Sequence, residues 1–197
     1  MPTYEAMFLL DSGLASEQFE EAEKLVLGLI DRYEGTVRIS GLWDERKLAY
    51  AINGKRRGTY YMAYFDSEGN SPQQIRDDVR ITPGVHRCLI LRVPEDAEVP
   101  EVIEVPKAPA MVAEDERGGR RDRRRFKRQA SDARCRFTRW GVKYVDWKET
   151  QTLQRLCTGQ GKMFSRKRSG NTAKFQRQFK LAVKYARFMA LMPYVTH

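Results

Sequence analysis

Asn53-Gly54-Lys55-Arg56-Arg57-Gly58-Thr59-Tyr60-Tyr61-Met62-Ala63-Tyr64-Phe65 decides how the first half of this chain folds. Asn-Gly is a strong signal for a two-residue hairpin, because both residues tolerate the positive φ that a tight primed turn requires. On its C-terminal side Thr59–Phe65 is almost wholly aromatic and apolar and reads as a strand. On its N-terminal side Thr36–Ile52 is rich in β-branched and aromatic residues and reads as a long partner strand, bent near Gly41.

Further out, Thr3–Leu10 is a short apolar run that opens the chain as a strand. Ser16 is the expected N-cap of a helix, with Glu17, Glu20 and Glu21 near its positive end. Phe19, Ala22, Val26, Leu29 and Tyr33 are spaced as one buried helical face, and Gly35 is expected to cap it. Ser71-Pro72 reads as an N-cap followed by proline at the first helical position, opening a helix to about Arg80. Val85–Val93 alternates as a last strand. The order β-α-β-β-α-β predicts an α+β, ferredoxin-like domain over residues 1–98, an antiparallel sheet with two helices on one face.

Charge divides the chain. Residues 1–110 carry 13 Lys and Arg against 19 Asp and Glu, a net of −6; residues 111–197 carry 23 against 7, a net of +16. Residues 99–119 are rich in Pro, Glu and Val and lack a sustained period, which predicts an extended linker. Then comes Arg120-Arg121-Asp122-Arg123-Arg124-Arg125-Phe126-Lys127-Arg128. Residues 120–197 are expected to form a small, basic, mostly helical module that binds a polyanion.

Within that module Asp146 reads as an N-cap, with Glu149 in capping-box position and Leu153, Leu156 and Cys157 as a modest apolar face. The last helix, from about Thr172 to Met192, is expected to stop at Pro193. At 100° per residue Phe175, Phe179, Ala182, Val183, Ala186 and Met189 share one face. Lys174, Arg177, Lys180, Lys184 and Arg187 share the opposite one. An ordinary solvated face mixes signs, whereas no acidic residue occurs from Asn171 to the end, so the stripe reads as tracking phosphates.

These residues carry two resemblances. Tyr4-Glu5, then Trp43-Asp44-Glu45-Arg46-Lys47-Leu48-Ala49-Tyr50-Ala51-Ile52, Lys55 and Gly58-Thr59-Tyr60-Tyr61 resemble the bacterial small-subunit ribosomal protein S6 family over roughly residues 1–98. Asp44 and Ala51 stand where that family usually has glycine and proline. Cys135-Arg136-Phe137-Thr138, Gly141-Val142-Lys143, Asp146-Trp147-Lys148, Ala173-Lys174-Phe175-Gln176-Arg177-Gln178 and Ala182-Val183-Lys184-Tyr185-Ala186-Arg187 resemble the S18 family over roughly residues 120–197. Tyr185 replaces a frequent basic residue, and Thr138 stands where some members have a second cysteine, so no zinc pair is expected.

The resemblance implies a structural constituent of the small ribosomal subunit that binds the central domain of small-subunit rRNA as a covalently joined pair. Its partners would be rRNA and neighbouring ribosomal proteins. The residues assigned to RNA are Arg123, Arg124, Arg125, Lys127, Arg128, Arg134, Arg136, Arg166, Lys167, Arg168, Lys174, Arg177, Lys180, Lys184 and Arg187. Phe175, Phe179 and Met189 are expected to pack between modules, by intramolecular docking on the first domain, or else on the helix at residues 146–157. A regulatory mRNA-binding protein is the alternative.

Other chemistry is disfavoured. Gly159-x-Gly161-Lys162 lacks the leading glycine and following Ser/Thr of a phosphate loop. Two histidines, His86 and His197, do not make a triad or a metal cluster, and no cofactor and no enzyme activity are expected. Trp140 is a weak candidate for stacking on a base and a stronger one for packing. Three widely spaced cysteines read as reduced thiols. No apolar run reaches the roughly 18 residues of a membrane span. With no signal-peptide pattern at Met1–Glu5, the expected location is cytoplasmic.

Overall fold

A computed structural model describes residues 1–13, 19–94, 99–103 and 135–195. The chain divides into two compact units, Met1–Val105 and Pro106–His197. The first contains β1 (Thr3–Asp11), α1 (Phe19–Asp31), β2 (Thr36–Ile52), β3 (Lys55–Asp66), α2 (Ser71–Val79) and β4 (Val85–Arg92). The strands form one antiparallel sheet in the order β2-β3-β1-β4, the ferredoxin-like arrangement expected from the sequence.

The hairpin forms where the sequence puts it. Asn53 and Gly54 both have positive φ, 49° and 77°, and Ile52 pairs with Lys55 across them, which defines the primed turn. β2 is irregular on both sides of Gly41: its register shifts between Val37 and Ile39 and again between Leu42 and Asp44. Each shift inserts one residue, and the second turns Trp43 into a buried site edge-on to Tyr60, 5.7 Å between ring centroids.

The core lies between α1, α2 and one face of the sheet, where Ala22, Val26 and Ile30 meet Phe8, Leu10, Tyr61 and Phe65. The other face carries Met7, Leu9, Tyr60, Met62 and Tyr64, which are buried as well. A strand covered on both sides has no polar face to show, which is why Thr59–Phe65 lacks alternation.

Helix ends differ in detail from the sequence reading. Ser16 lies outside the described residues. Glu34, not Gly35, takes the left-handed conformation after α1, at φ 57°. Gly35 N–H then donates to Ile30 O at 3.1 Å and Glu34 N–H to Asp31 O at 3.0 Å, a Schellman closure. Gly35 is needed for space: a Cβ there would lie 2.5 Å from Ile30 Cγ2 and 3.0 Å from Ile30 O. Gly35→Ala is therefore expected to lower stability by about 1–3 kcal/mol, read by thermal or urea unfolding. An unchanged midpoint would show that Ile30 moves aside freely.

Asn70, not Ser71, occupies the N-cap position of α2, and the Ser71 hydroxyl donates back to Glu68 O at 2.8 Å. Asp66 ties the far end of the hairpin, accepting from Thr3 Oγ1 at 2.6 Å and Arg38 Nε at 2.7 Å. Burial pushes its carboxyl up, but these two donors outweigh it and hold it below the ordinary aspartate value.

The second unit contains α3 (Arg136–Arg139), α4 (Thr150–Arg155), α5 (Arg166–Ser169) and α6 (Ala173–Phe188). Its core gathers Phe137, Leu153, Leu156, Phe179, Val183 and Met189. α4 starts four residues after Asp146, whose Oδ1 instead accepts from Lys148 N at 3.0 Å and closes a local turn. α6 ends before Pro193. Ala190 adopts φ 55°, and Leu191 N–H reaches back to Ala186 O at 2.9 Å, so a Schellman closure stops the helix.

Candidate nucleic-acid interface

The geometry of the basic surface begins with Gly170. Its φ of 74° ends α5 after one turn and sends the chain into α6. Thr172 caps α6, its hydroxyl accepting from Phe175 N. Gln176, one turn into α6, then binds back in three places. Its Oε1 accepts from Ser169 Oγ at 3.2 Å and from Asn171 Nδ2 at 3.1 Å, and its Nε2 donates to Phe164 O at 3.0 Å. Arg168 lies over the Phe164 ring with its guanidinium carbon 4.0 Å from the centroid.

One amide side chain thus fixes α5 to α6. The consequence is a pre-arranged cluster: Arg166, Lys167 and Arg168 are all exposed on α5, a helix held at both of its ends. Lys174, Arg177, Lys180 and Lys184 are exposed along α6. No salt bridge engages any of these seven among the described residues. Cations carried on a pinned backbone lose little backbone freedom when an anion arrives.

Arg187 behaves differently from the rest of its stripe. It is half-buried, its Nη2 donates to Gly161 O, and its guanidinium faces the Tyr194 ring at 5.8 Å. It holds the loop at residues 158–162, where Gly161 has φ 82° and a Cβ would meet Tyr194 O at 3.0 Å. Arg136 is also half-buried, at the first position of α3. Arg123, Arg124, Arg125, Lys127, Arg128 and Arg134 lie outside the described residues.

Phe175, Phe179 and Met189 are buried at 8%, 0% and 0% exposure. Within the unit the Phe175 ring meets Phe137 at 5.4 Å, and Trp140 meets the same Phe137 edge-on at 5.9 Å. Trp147 is buried, with Lys148 Nζ 5.5 Å from its ring.

Arg139, Lys143, Arg155 and Lys162 are further exposed cations that sequence reasoning missed. They sit on short helices and loops, where no period marks a face. Cys135 is buried at the N-cap of α3. Burial pushes its thiol up, but the Thr138 hydroxyl and the N–H groups of Thr172, Thr138 and Phe137 together hold it below the ordinary cysteine value. Thr138 therefore supports that thiol from the position where a second cysteine would stand in a zinc pair.

Comparisons with known proteins fall on the same two units. Residues 3–92 match the family model of ribosomal protein S6, and residues 141–192 match that of ribosomal protein S18. Small ribosomal subunit protein bS18 of Parabacteroides distasonis is 47% identical over 62 residues, 32% of this chain and 70% of that protein. The bS18 of Christiangramia forsetii is 49% identical over 61 residues, 31% of this chain and 62% of that protein. A crystal structure of 30S ribosomal protein S6 from Thermotoga maritima is 27% identical, covers 47% of this chain and 87% of that one, and has a TM-score of 0.43. Both families are structural ribosomal proteins and not enzymes. The chain belongs to the ribosomal protein S18 family through its second unit, which is joined in one polypeptide to a first unit that matches the family model of ribosomal protein S6.

Proposed function

We propose that the chain is a structural constituent of the small ribosomal subunit that binds the central domain of small-subunit rRNA, with both proteins of the pair delivered as one molecule. The observation that carries this reading is the α5–α6 surface, where an S18-family unit holds seven exposed cations on elements fixed by Gln176. Recognition is chiefly of phosphates and RNA shape, because among the described residues of this unit the seven exposed cations outnumber the exposed rings Tyr144, Phe188 and Tyr194, while Trp140 and Trp147 are engaged by Phe137 and by burial. The partners are rRNA and neighbouring ribosomal proteins.

Joining the two units has a physical consequence. Two units in one polypeptide meet at an effective concentration set by the chain between them, on the order of 1 mM for a short linker. The two units then arrive in a 1:1 ratio without a bimolecular search.

The test is a salt titration of the full chain on a central-domain rRNA fragment. With about six to ten phosphate contacts, affinity falls by about 10³–10⁵ between 50 and 200 mM salt. A flat dependence would sink the reading. Crosslinked RNA recovered with the protein is expected to be mostly rRNA; an excess of messages would replace the reading with the regulatory one.

A further inference from the structure

We propose that the tip of the β2–β3 hairpin is a second phosphate-contact site for RNA, carried by the unit whose overall charge is negative. The proposal rests on the rRNA reading above. Residues 47–57 read Lys-Leu-Ala-Tyr-Ala-Ile-Asn-Gly-Lys-Arg-Arg, with four cations and no carboxylate. They form an arm that outruns the rest of the sheet. β1 ends its pairing with β3 at Asp11 opposite Gly58, so Lys55, Arg56 and Arg57 lie beyond it, paired only to β2.

The arm is not a loose tip. Leu48 and Ile52 are each 5% exposed. Lys55 Nζ lies 3.2 Å from Asp11 Oδ2, and Arg87 donates to Tyr50 Oη. Lys47, Arg56 and Arg57 are exposed on this anchored base.

Two features of the arm bear on what it binds. Lys47 sits directly opposite Arg57 in the ladder, and like charges facing each other across a sheet destabilise it. Arg57 is only partly relieved by Glu45 at 3.5 Å, an exposed and weak pair. Beside this pair the register shifts, so that residues 48–51 of β2 run past Arg56 alone on β3. Neither Lys47 nor Arg56 has a salt-bridge partner among the described residues.

A polyanion turns this local repulsion into attraction. An acidic protein would do the same, but protein interfaces are built on a desolvated apolar or aromatic centre. No large apolar side chain is exposed between Lys47 and Arg57. The arm presents cations, alanines, asparagine and glycine, which suit phosphates.

The experiment compares the full chain with its Lys47→Gln/Arg56→Gln variant on the same rRNA fragment. Affinity is expected to fall about tenfold or more at 100 mM salt, and the log–log salt slope to become shallower by about two. The thermal midpoint is expected to stay the same or rise, because the like-charge pair is relieved. Glu45→Gln, which frees Arg57, is expected to tighten binding. If both variants bind RNA with the parent slope, while that slope is steep, the arm is not an RNA contact and the rRNA reading stands without it. Normal RNA binding with failure to enter assembled subunits would likewise overturn the proposal, in favour of a protein neighbour. A flat slope for the parent chain would remove both readings together.

Discussion

Arg166→Gln, Lys167→Gln and Arg168→Gln together are expected to weaken binding of the full chain to a small-subunit rRNA fragment by about two to three orders of magnitude at 100 mM salt. The log–log salt slope should become shallower by about three, one for each lost phosphate contact. The three side chains are exposed on α5 and make no salt bridge among the described residues, so the fold has little to lose. Only Arg168 carries an internal contact, its stacking over Phe164. The thermal midpoint should therefore move by no more than a degree or two.

Gln176→Ala supplies the contrast that a simple count of charges would not. It removes no cation, but it releases Ser169, Asn171 and Phe164 from α6 at once. Affinity should fall by about tenfold while the salt slope is unchanged, because the same number of phosphates is met by a cluster that must now be ordered on binding. Equal slopes for the triple variant and the parent would mean that α5 faces away from the RNA. Unchanged affinity in Gln176→Ala would mean that α5 needs no pinning.

The first unit was legible because its local signals agree with its global fold. Asn53-Gly54 can hardly do anything but turn, and the helix pattern from Phe19 to Tyr33 has one apolar side. What the residues did not reveal were events decided by neighbours in space. The left-handed residue after α1 fell on Glu34 because Gly35 is needed where Ile30 and Phe65 crowd it. Asp146 was drawn into its own turn with Lys148, which moved the start of α4.

The basic stripe of α6 was legible in the same way, since Lys174, Arg177, Lys180 and Lys184 follow the helical period and lie exposed. Arg187 follows that period too, yet it turns inward to Gly161, because only tertiary structure brings the loop at 158–162 beside it. The basic arm of the hairpin is hidden when charge is summed over each half of the chain. Its four cations are diluted within a −6 segment, and only the register sets Lys47 against Arg57.

Phe179→Ala is expected to have the largest effect on stability in the second unit. The ring is fully buried at the centre of α6, in line with Phe175, Ala182, Val183 and Ala186. Truncating a buried phenylalanine costs about 3–5 kcal/mol, part lost transfer energy and part the cavity left behind. A unit of this size has only several kcal/mol in total, at roughly 0.05–0.15 kcal/mol per residue, and small units lie toward the low end because they bury a smaller share of their surface. The substitution should therefore leave a large fraction of the unit unfolded at 37 °C. RNA affinity should fall at least as far as in the triple α5 variant, although every cation is retained, because α5 and α6 no longer hold them in register. Leu181→Ala on the same helix tests whether burial is the cause: Leu181 is 47% exposed, and its loss should change stability by no more than about 0.5 kcal/mol. Phe179→Leu should recover most of both stability and affinity. If Phe179→Ala melts at the parent temperature and binds RNA normally, then charge alone is sufficient and the fixed geometry of α5 and α6 is not what RNA recognises.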